Sequence, residues 1–91
     1  LQLTLQPKNK PNDPFNVRWF MMGVVEPPAS CTVLLQRSEA AAQIETSKFK
    51  AQGNSGQFTV DPANQNAFLS VICERGEITV ASQVIPLRSG P

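Results

Sequence analysis

The chain of 91 residues contains no histidine and no tyrosine, and it has only two cysteines and one tryptophan. Histidine is the most common general base and metal ligand in proteins. Its absence removes most of the support for a hydrolytic enzyme or a metal-dependent one. The seven acidic residues are scattered singly along the chain, and no serine has a candidate base. We therefore expect a protein that is not an enzyme and that uses no cofactor or metal ion.

Three further absences narrow the functional classes. The net charge is +1, without the basic stripe that neutralises phosphates, so nucleic acid is not an expected partner. The glycines lie among turn residues and do not form a phosphate-binding loop. The longest apolar run, Trp19 to Val25, has seven residues, whereas a membrane-spanning helix needs about 20. We therefore expect no membrane insertion.

What the chain does contain is a series of short segments in which apolar and polar residues alternate. A period of two is typical of β-strands that bury one face. Turn-forming Gly, Pro, Asn and Asp residues separate the segments. The pattern predicts an all-β fold, a seven-stranded antiparallel immunoglobulin-like sandwich. The segments are Leu1 to Leu5, Phe15 to Met21, Cys31 to Gln36, Ile44 to Lys50, Gln57 to Val60, Ala67 to Cys73 and Ile78 to Leu87.

Three of these strands have predictable positions in their sheets. The third strand is apolar on both faces around Leu34, as a central strand would be. The segment Ser38 to Gln52 contains good helix formers, but strand patterns flank it, so we predict a loop followed by an edge strand. Pro86 has no amide hydrogen to donate, which places the last strand at an edge as well.

The length of the chain sets the domain organisation. It is sufficient for one hydrophobic core and too short for two. We expect the domain to span residues 1–88, and residues 89–91 to be a C-terminal tail or an expression remnant. The chain starts at Leu1 without an initiating Met or a signal-peptide pattern, so we expect a piece of a longer protein.

Phe15, Val17 and Trp19 occupy alternate positions of the second predicted strand. This arrangement resembles the second strand of fibronectin type III domains, in which an apolar residue, Val and Trp alternate. The run Cys31–Arg37 is similar to that family's third strand, with Cys in place of its usual Tyr. An antibody-type immunoglobulin domain would have its Trp after its first Cys, whereas Trp19 precedes Cys31.

The resemblance covers nearly the whole chain. Val60-Asp61-Pro62 resembles the family's approach to its sixth strand, and Gly76-Glu77 followed by Ser82 and Val84 resembles its final hairpin and strand. The tyrosine that the family carries near Ala67 is missing here. The resemblance implies a non-catalytic protein-interaction or adhesion module of a larger extracellular or cell-surface protein. Two alternatives remain, a structural spacer domain of an intracellular, cytoplasmic scaffold and an accessory domain of an enzyme.

The resemblance also makes the third and sixth strands antiparallel neighbours. Cys31 at the start of one strand would then lie near Cys73 at the end of the other, and both side chains would point inward. A disulfide bond could form if the Cα atoms lie within about 7 Å. The alternative is a pair of buried thiols that act as small hydrophobic side chains. A bond would favour an extracellular setting, and free thiols would favour the intracellular scaffold.

An apolar run continues past the end of the second predicted strand. Exposed apolar patches mark interfaces, and methionine adapts to varied partner shapes. We therefore expect Phe20, Met22, Val24 and Val25 to contact a partner protein or a neighbouring domain of the parent chain. The alternative is that Met21 joins the core while Phe20 and Met22 cover the other face of the sheet.

Overall fold

The computed structural model describes residues 1–8, 10, 12–22, 29–38 and 40–88. Within these ranges the chain forms eight β-strands and a short 3₁₀ helix at Pro62–Asn64, and no helix is long and apolar enough to span a bilayer. The strands are β1 (Gln2–Leu5), β2 (Phe15–Phe20), β3 (Ala29–Gln36), β4 (Ile44–Ala51), β5 (Ser55–Val60), β6 (Phe68–Arg75), β7 (Ile78–Ala81) and β8 (Ile85–Pro86).

The strands form two antiparallel sheets that pack face to face as a sandwich. The first sheet has the strand order β1-β2-β5, and the second has the order β4-β3-β6-β7, with β8 also paired to β6. Successive side chains of a strand point to opposite faces, and the inward apolar side chains of both sheets form one core. The predicted all-β antiparallel sandwich is confirmed.

Among the described residues there are eight strands where the sequence pattern predicts seven, because the last predicted strand is divided. β7 ends at Ala81 and β8 begins at Ile85. Between them the Ser82 hydroxyl accepts the amide hydrogen of Val71 at 2.8 Å, and the Ser82 amide donates to the Val71 carbonyl at 2.8 Å. A side-chain oxygen thus replaces the backbone carbonyl in the ladder, so the backbone leaves the strand without breaking the contact to β6.

The predicted positions of the other strands agree with the structure. β3 lies between β4 and β6, as its two apolar faces predict. β4 (Ile44–Ala51) lies at an edge of the same sheet, with no helix in the described part of that segment. Pro86 lies in β8, whose partner among the described strands is β6.

The tryptophan packs over a glycine of the neighbouring strand. Trp19 lies opposite Gly56, and a Cβ atom on Gly56 would be 2.7 Å from Cζ2 of the indole. Phe49 on β4 stacks against Trp19 with 5.8 Å between ring centroids, and Phe58 on β5 stacks against Phe49 at 5.5 Å. The glycine makes room for the indole, and the three rings join the two sheets.

A side-chain amide links β1 to the segment between β7 and β8. Gln83 Oε1 accepts the amide hydrogen of Leu3 at 3.2 Å, and Gln83 Nε2 donates to the Leu3 carbonyl at 3.0 Å. β1 has β2 as its strand partner, so its other side is a sheet edge. Gln83 therefore occupies the outward backbone groups of Leu3 at that edge and links the two sheets by hydrogen bonds.

Candidate functional site

Cys31 and Cys73 form a disulfide bond between neighbouring strands of one sheet. They lie directly opposite each other on β3 and β6, with the Cα atoms 4.0 Å apart and an S–S distance of 2.05 Å. Both residues are buried, at 0% and 2% exposure. The predicted pairing is confirmed, and the alternative of two buried thiols does not hold.

The backbone pattern explains why these two residues meet. The N–H and C=O groups of Val71 point toward Ser82, on the side of strand β6 that faces away from β3. Cys73 follows Val71 by two residues and has the same orientation. Cys31 and Cys73 are therefore a pair without mutual backbone hydrogen bonds, the position at which antiparallel strands approach most closely.

The predicted contact run is divided between core and surface. Phe20 is 47% exposed and Met22 is 85% exposed, whereas Met21 between them is buried. Val24 and Val25 lie outside the described residues. The alternation of β2 thus continues past Phe20, and it directs two large apolar side chains outward at one end of the sandwich.

Phe20 and Met22 line a groove of about 400 Å³ at this end of the sandwich, which we call the end groove. It opens between the start of β1, the end of β2 and the hairpin formed by β6 and β7. Its described lining residues are Leu1, Gln2, Phe20, Met21, Met22, Ala29, Cys73, Arg75, Ile78 and Val80.

Sequence reasoning missed Ile78, which lines the same groove and is 55% exposed. Ile78 pairs with Arg75 across the two-residue turn Gly76-Glu77. Gly76 has a φ of +60°, which suits the first position of a type II′ hairpin turn. The predicted hairpin could have placed Ile78 at an end of the sheet. Its closeness to Phe20 could not be inferred, because it depends on how the two sheets pack.

The chemistry of the end groove is mainly apolar. Of the lining residues that the structure describes, Arg75 alone has a charged side chain, and its guanidinium group carries five N–H donors. Outside the groove, no cluster of three Cys, Asp or Glu residues that could hold a metal ion occurs within the described ranges. A groove of this composition can bury apolar side chains of another molecule while Arg75 pairs with a carboxylate.

No family model, curated protein or solved structure matches this chain. The likeness to fibronectin type III domains therefore stays a prediction from the sequence.

Proposed function

We propose that the chain is a non-catalytic protein-interaction or adhesion module of a larger extracellular or cell-surface protein, and that it contacts its partner through the end groove. The observation that carries this proposal is the exposure of Met22, at 85%. Leaving a large apolar side chain in water forgoes the free energy of its burial. Phe20 and Ile78 are also exposed at the same groove, and clustered apolar exposure of this kind is typical of interaction sites.

The strand arrangement supports a fibronectin type III-like module. β3 and β6 are antiparallel neighbours, as the resemblance implies, and Trp19 is buried in the core. In a constant-type immunoglobulin domain the fourth strand belongs to the sheet of the first, second and fifth strands. Here β4 pairs with β3. The position of β4 and the order of Trp19 and Cys31 both differ from an antibody-type domain.

The disulfide supports the extracellular part of the proposal. Disulfides persist in oxidising compartments and are rare in the cytosol, where thiols are kept reduced. Cys31 and Cys73 are bonded, which is weakly compatible with an extracellular location. A spacer domain of an intracellular scaffold would be expected to keep both thiols reduced.

The test is a binding screen with matched variants. The oxidised domain is displayed as a multivalent probe against an array of recombinant extracellular domains, beside Met22→Ser and Ile78→Ser variants. Ile44→Ser is the control, because Ile44 is 52% exposed and Ile78 is 55% exposed, while Ile44 lies on β4 and does not line the end groove. We expect a partner whose binding the two groove variants weaken by about tenfold or more.

The control decides how the screen is interpreted. A partner that binds the Ile44→Ser variant as tightly as the wild type, but not the groove variants, supports the proposal. If all three variants weaken the binding of a partner equally, that partner contacts the domain outside the end groove. If no extracellular domain binds, the adhesion proposal is wrong.

A further inference from the structure

The end groove lies beside an open strand edge. β7 (Ile78–Ala81) pairs with β6, and no other strand in the described part of the chain pairs with it. Val71 exchanges hydrogen bonds with Ser82, just beyond the end of β7. Hydrogen-bonded and non-hydrogen-bonded pairs alternate along an antiparallel ladder. The next hydrogen-bonded pair is therefore Cys73 with Val80.

The same alternation sets the direction of every backbone group in β7. The N–H and C=O groups of Ile78 and Val80 face β6, so those of Thr79 and Ala81 point outward from the sheet edge. The side chains of Ile78 and Val80 line the end groove. The open backbone groups of β7 and the apolar groove therefore lie next to each other.

Other edges of the sandwich carry features that discourage strand addition. Gln83 occupies the β1 edge at Leu3, β4 carries Lys48, Lys50 and a register shift against β3, and β8 contains Pro86. Lysines, bulges and prolines are the devices by which natural proteins protect sheet edges. The β7 edge contains only uncharged Ile, Thr, Val and Ala residues.

β5 is another edge strand without charged residues, but its surroundings differ. The groove beside β5 has a lining in which polar and apolar side chains are mixed, including Thr4, Arg18, Ser55 and Gln57. The end groove is lined by Leu, Phe, Met, Ile and Val side chains, with Gln2 and Arg75 as its polar ones. β7 therefore combines an unprotected edge with an apolar groove.

We propose that β7 binds an extended peptide segment of the partner protein as an added antiparallel strand. This inference rests on the proposed function, because it names the kind of partner that the end groove takes. In this mode main-chain hydrogen bonds provide affinity, and pockets for alternate side chains provide specificity. Thr79 and Ala81 supply the hydrogen-bonding groups, while alternate apolar side chains of the peptide fill the groove beside Ile78 and Val80.

Charge complementarity adds one more feature to the partner. An antiparallel peptide has its C-terminal end alongside Ile78, the first residue of β7. Ile78 pairs with Arg75, which also lines the groove. An acidic residue two positions after the last apolar side chain of the peptide lies on the same face of the added strand and meets this guanidinium group, which favours carboxylates. The partner segment thus has apolar residues at every second position and an acidic residue at its C-terminal end.

The test uses a synthetic peptide in which threonine and valine alternate and glutamate takes the place of the last valine, and two methylated versions of it. Valine amides face away from β7 when valine side chains enter the groove, while threonine amides face Thr79 and Ala81. Methylation of the threonine amide nitrogens therefore removes the hydrogen bonds that the peptide donates to β7, and methylation of the valine amide nitrogens spares them. We expect the first to weaken binding by about tenfold or more and the second to leave it unchanged.

Protein variants provide an independent arm measured by titration calorimetry. In Ala81→Pro the amide hydrogen that is lost is one that points outward, so the pairing of β7 with β6 is kept. We expect this variant to bind the unmethylated peptide about tenfold more weakly, and Ile44→Ser to bind it like the wild type. Amide hydrogen exchange at Thr79 and Ala81 should slow in the complex. If Ala81→Pro does not fold, the two methylated peptides still decide the question.

The inference and the proposed function fail in different ways. Equal weakening by both methylated peptides, or no binding of the unmethylated peptide up to about 1 mM, overturns strand addition. A partner that depends on Met22 and Ile78 but binds Ala81→Pro normally keeps the end groove as the contact site without strand addition. If no extracellular partner depends on Met22 and Ile78, the proposed function itself is wrong, whatever the peptide does.

Discussion

At the scale of single residues, the clearest contrast is between two adjacent methionines. Met21 is buried in the core, whereas Met22 is exposed. The Met21 amide donates to the Asn54 carbonyl at 2.7 Å, which continues the pairing of β2 with the chain before β5 beyond the end of the strand. The same residue type therefore has a structural role at one position and a surface role at the next.

This contrast predicts different effects of the same substitution. Met21→Ala should lower the free energy of unfolding by about 2 to 5 kcal/mol, because it leaves a cavity in the core. Met22→Ala should change it by less than about 0.5 kcal/mol. Urea unfolding followed by tryptophan fluorescence measures both values. Similar losses for the two variants would mean that Met22 belongs to the core.

The amino-acid pattern predicted most residue environments but not all of them. Alternation alone was enough to predict that Phe15, Val17 and Trp19 point inward, because burial on one face of a strand has a period of two. The same alternation also placed Met21 on the inward face, where the structure has it. It could not decide whether Phe20 and Met22, on the outward face, are exposed or covered, since that depends on how distant segments of the chain pack around them.

At the scale of the strands, the division of the last predicted strand has a structural effect. The backbone leaves the ladder at Ser82, and the next residue, Gln83, then reaches Leu3 across the edge of the sandwich. The two residues are separated by 80 positions. No local sequence pattern could predict the contact between Gln83 and Leu3, because it forms only when core packing brings β1 next to the segment that follows β7.

We expect Gln83→Ala to loosen β1. The variant leaves the N–H and C=O groups of Leu3 without their side-chain partner, and we expect a loss of about 1 to 3 kcal/mol of stability. Amide hydrogen exchange at Leu3 should accelerate. Gln57→Ala on β5 is the matched control, because Gln57 is an exposed glutamine of the same sandwich, and it should change neither quantity. Unchanged exchange at Leu3 in Gln83→Ala would contradict this role.

At the scale of the whole molecule, the disulfide closes a large part of the chain into a loop. Cys31 and Cys73 are separated by 42 positions, and the loop between them contains β4, β5 and most of β3 and β6. A crosslink of this size restricts the unfolded chain much more than the folded one. The resemblance to fibronectin type III domains predicted the neighbouring strands, but the composition of the chain by itself could not decide between a bond and two thiols.

Removal of the crosslink should lower the stability of the whole sandwich. For a loop of this length the chain-entropy relation gives about 4 kcal/mol. Urea unfolding of the oxidised protein and of a Cys31→Ala/Cys73→Ala variant measures the difference. Thiol alkylation followed by intact mass measurement should add no label to the oxidised protein before reduction. A label on either cysteine, or a stability change below about 1 kcal/mol, would contradict the expected role of the bond.

The same bond has a mechanical consequence for a chain that is pulled from both ends. Leu1 lies at the end groove, whereas Leu87 hydrogen-bonds to Ala67 at the opposite end of β6, so tension applied to these residues runs along the strands. The Cys31–Cys73 bond carries that tension past a loop of 42 positions. At roughly 3.3 to 3.6 Å per extended residue, about 140 to 150 Å of chain stays locked until the bond is reduced. Reduction converts a short tether into a long one.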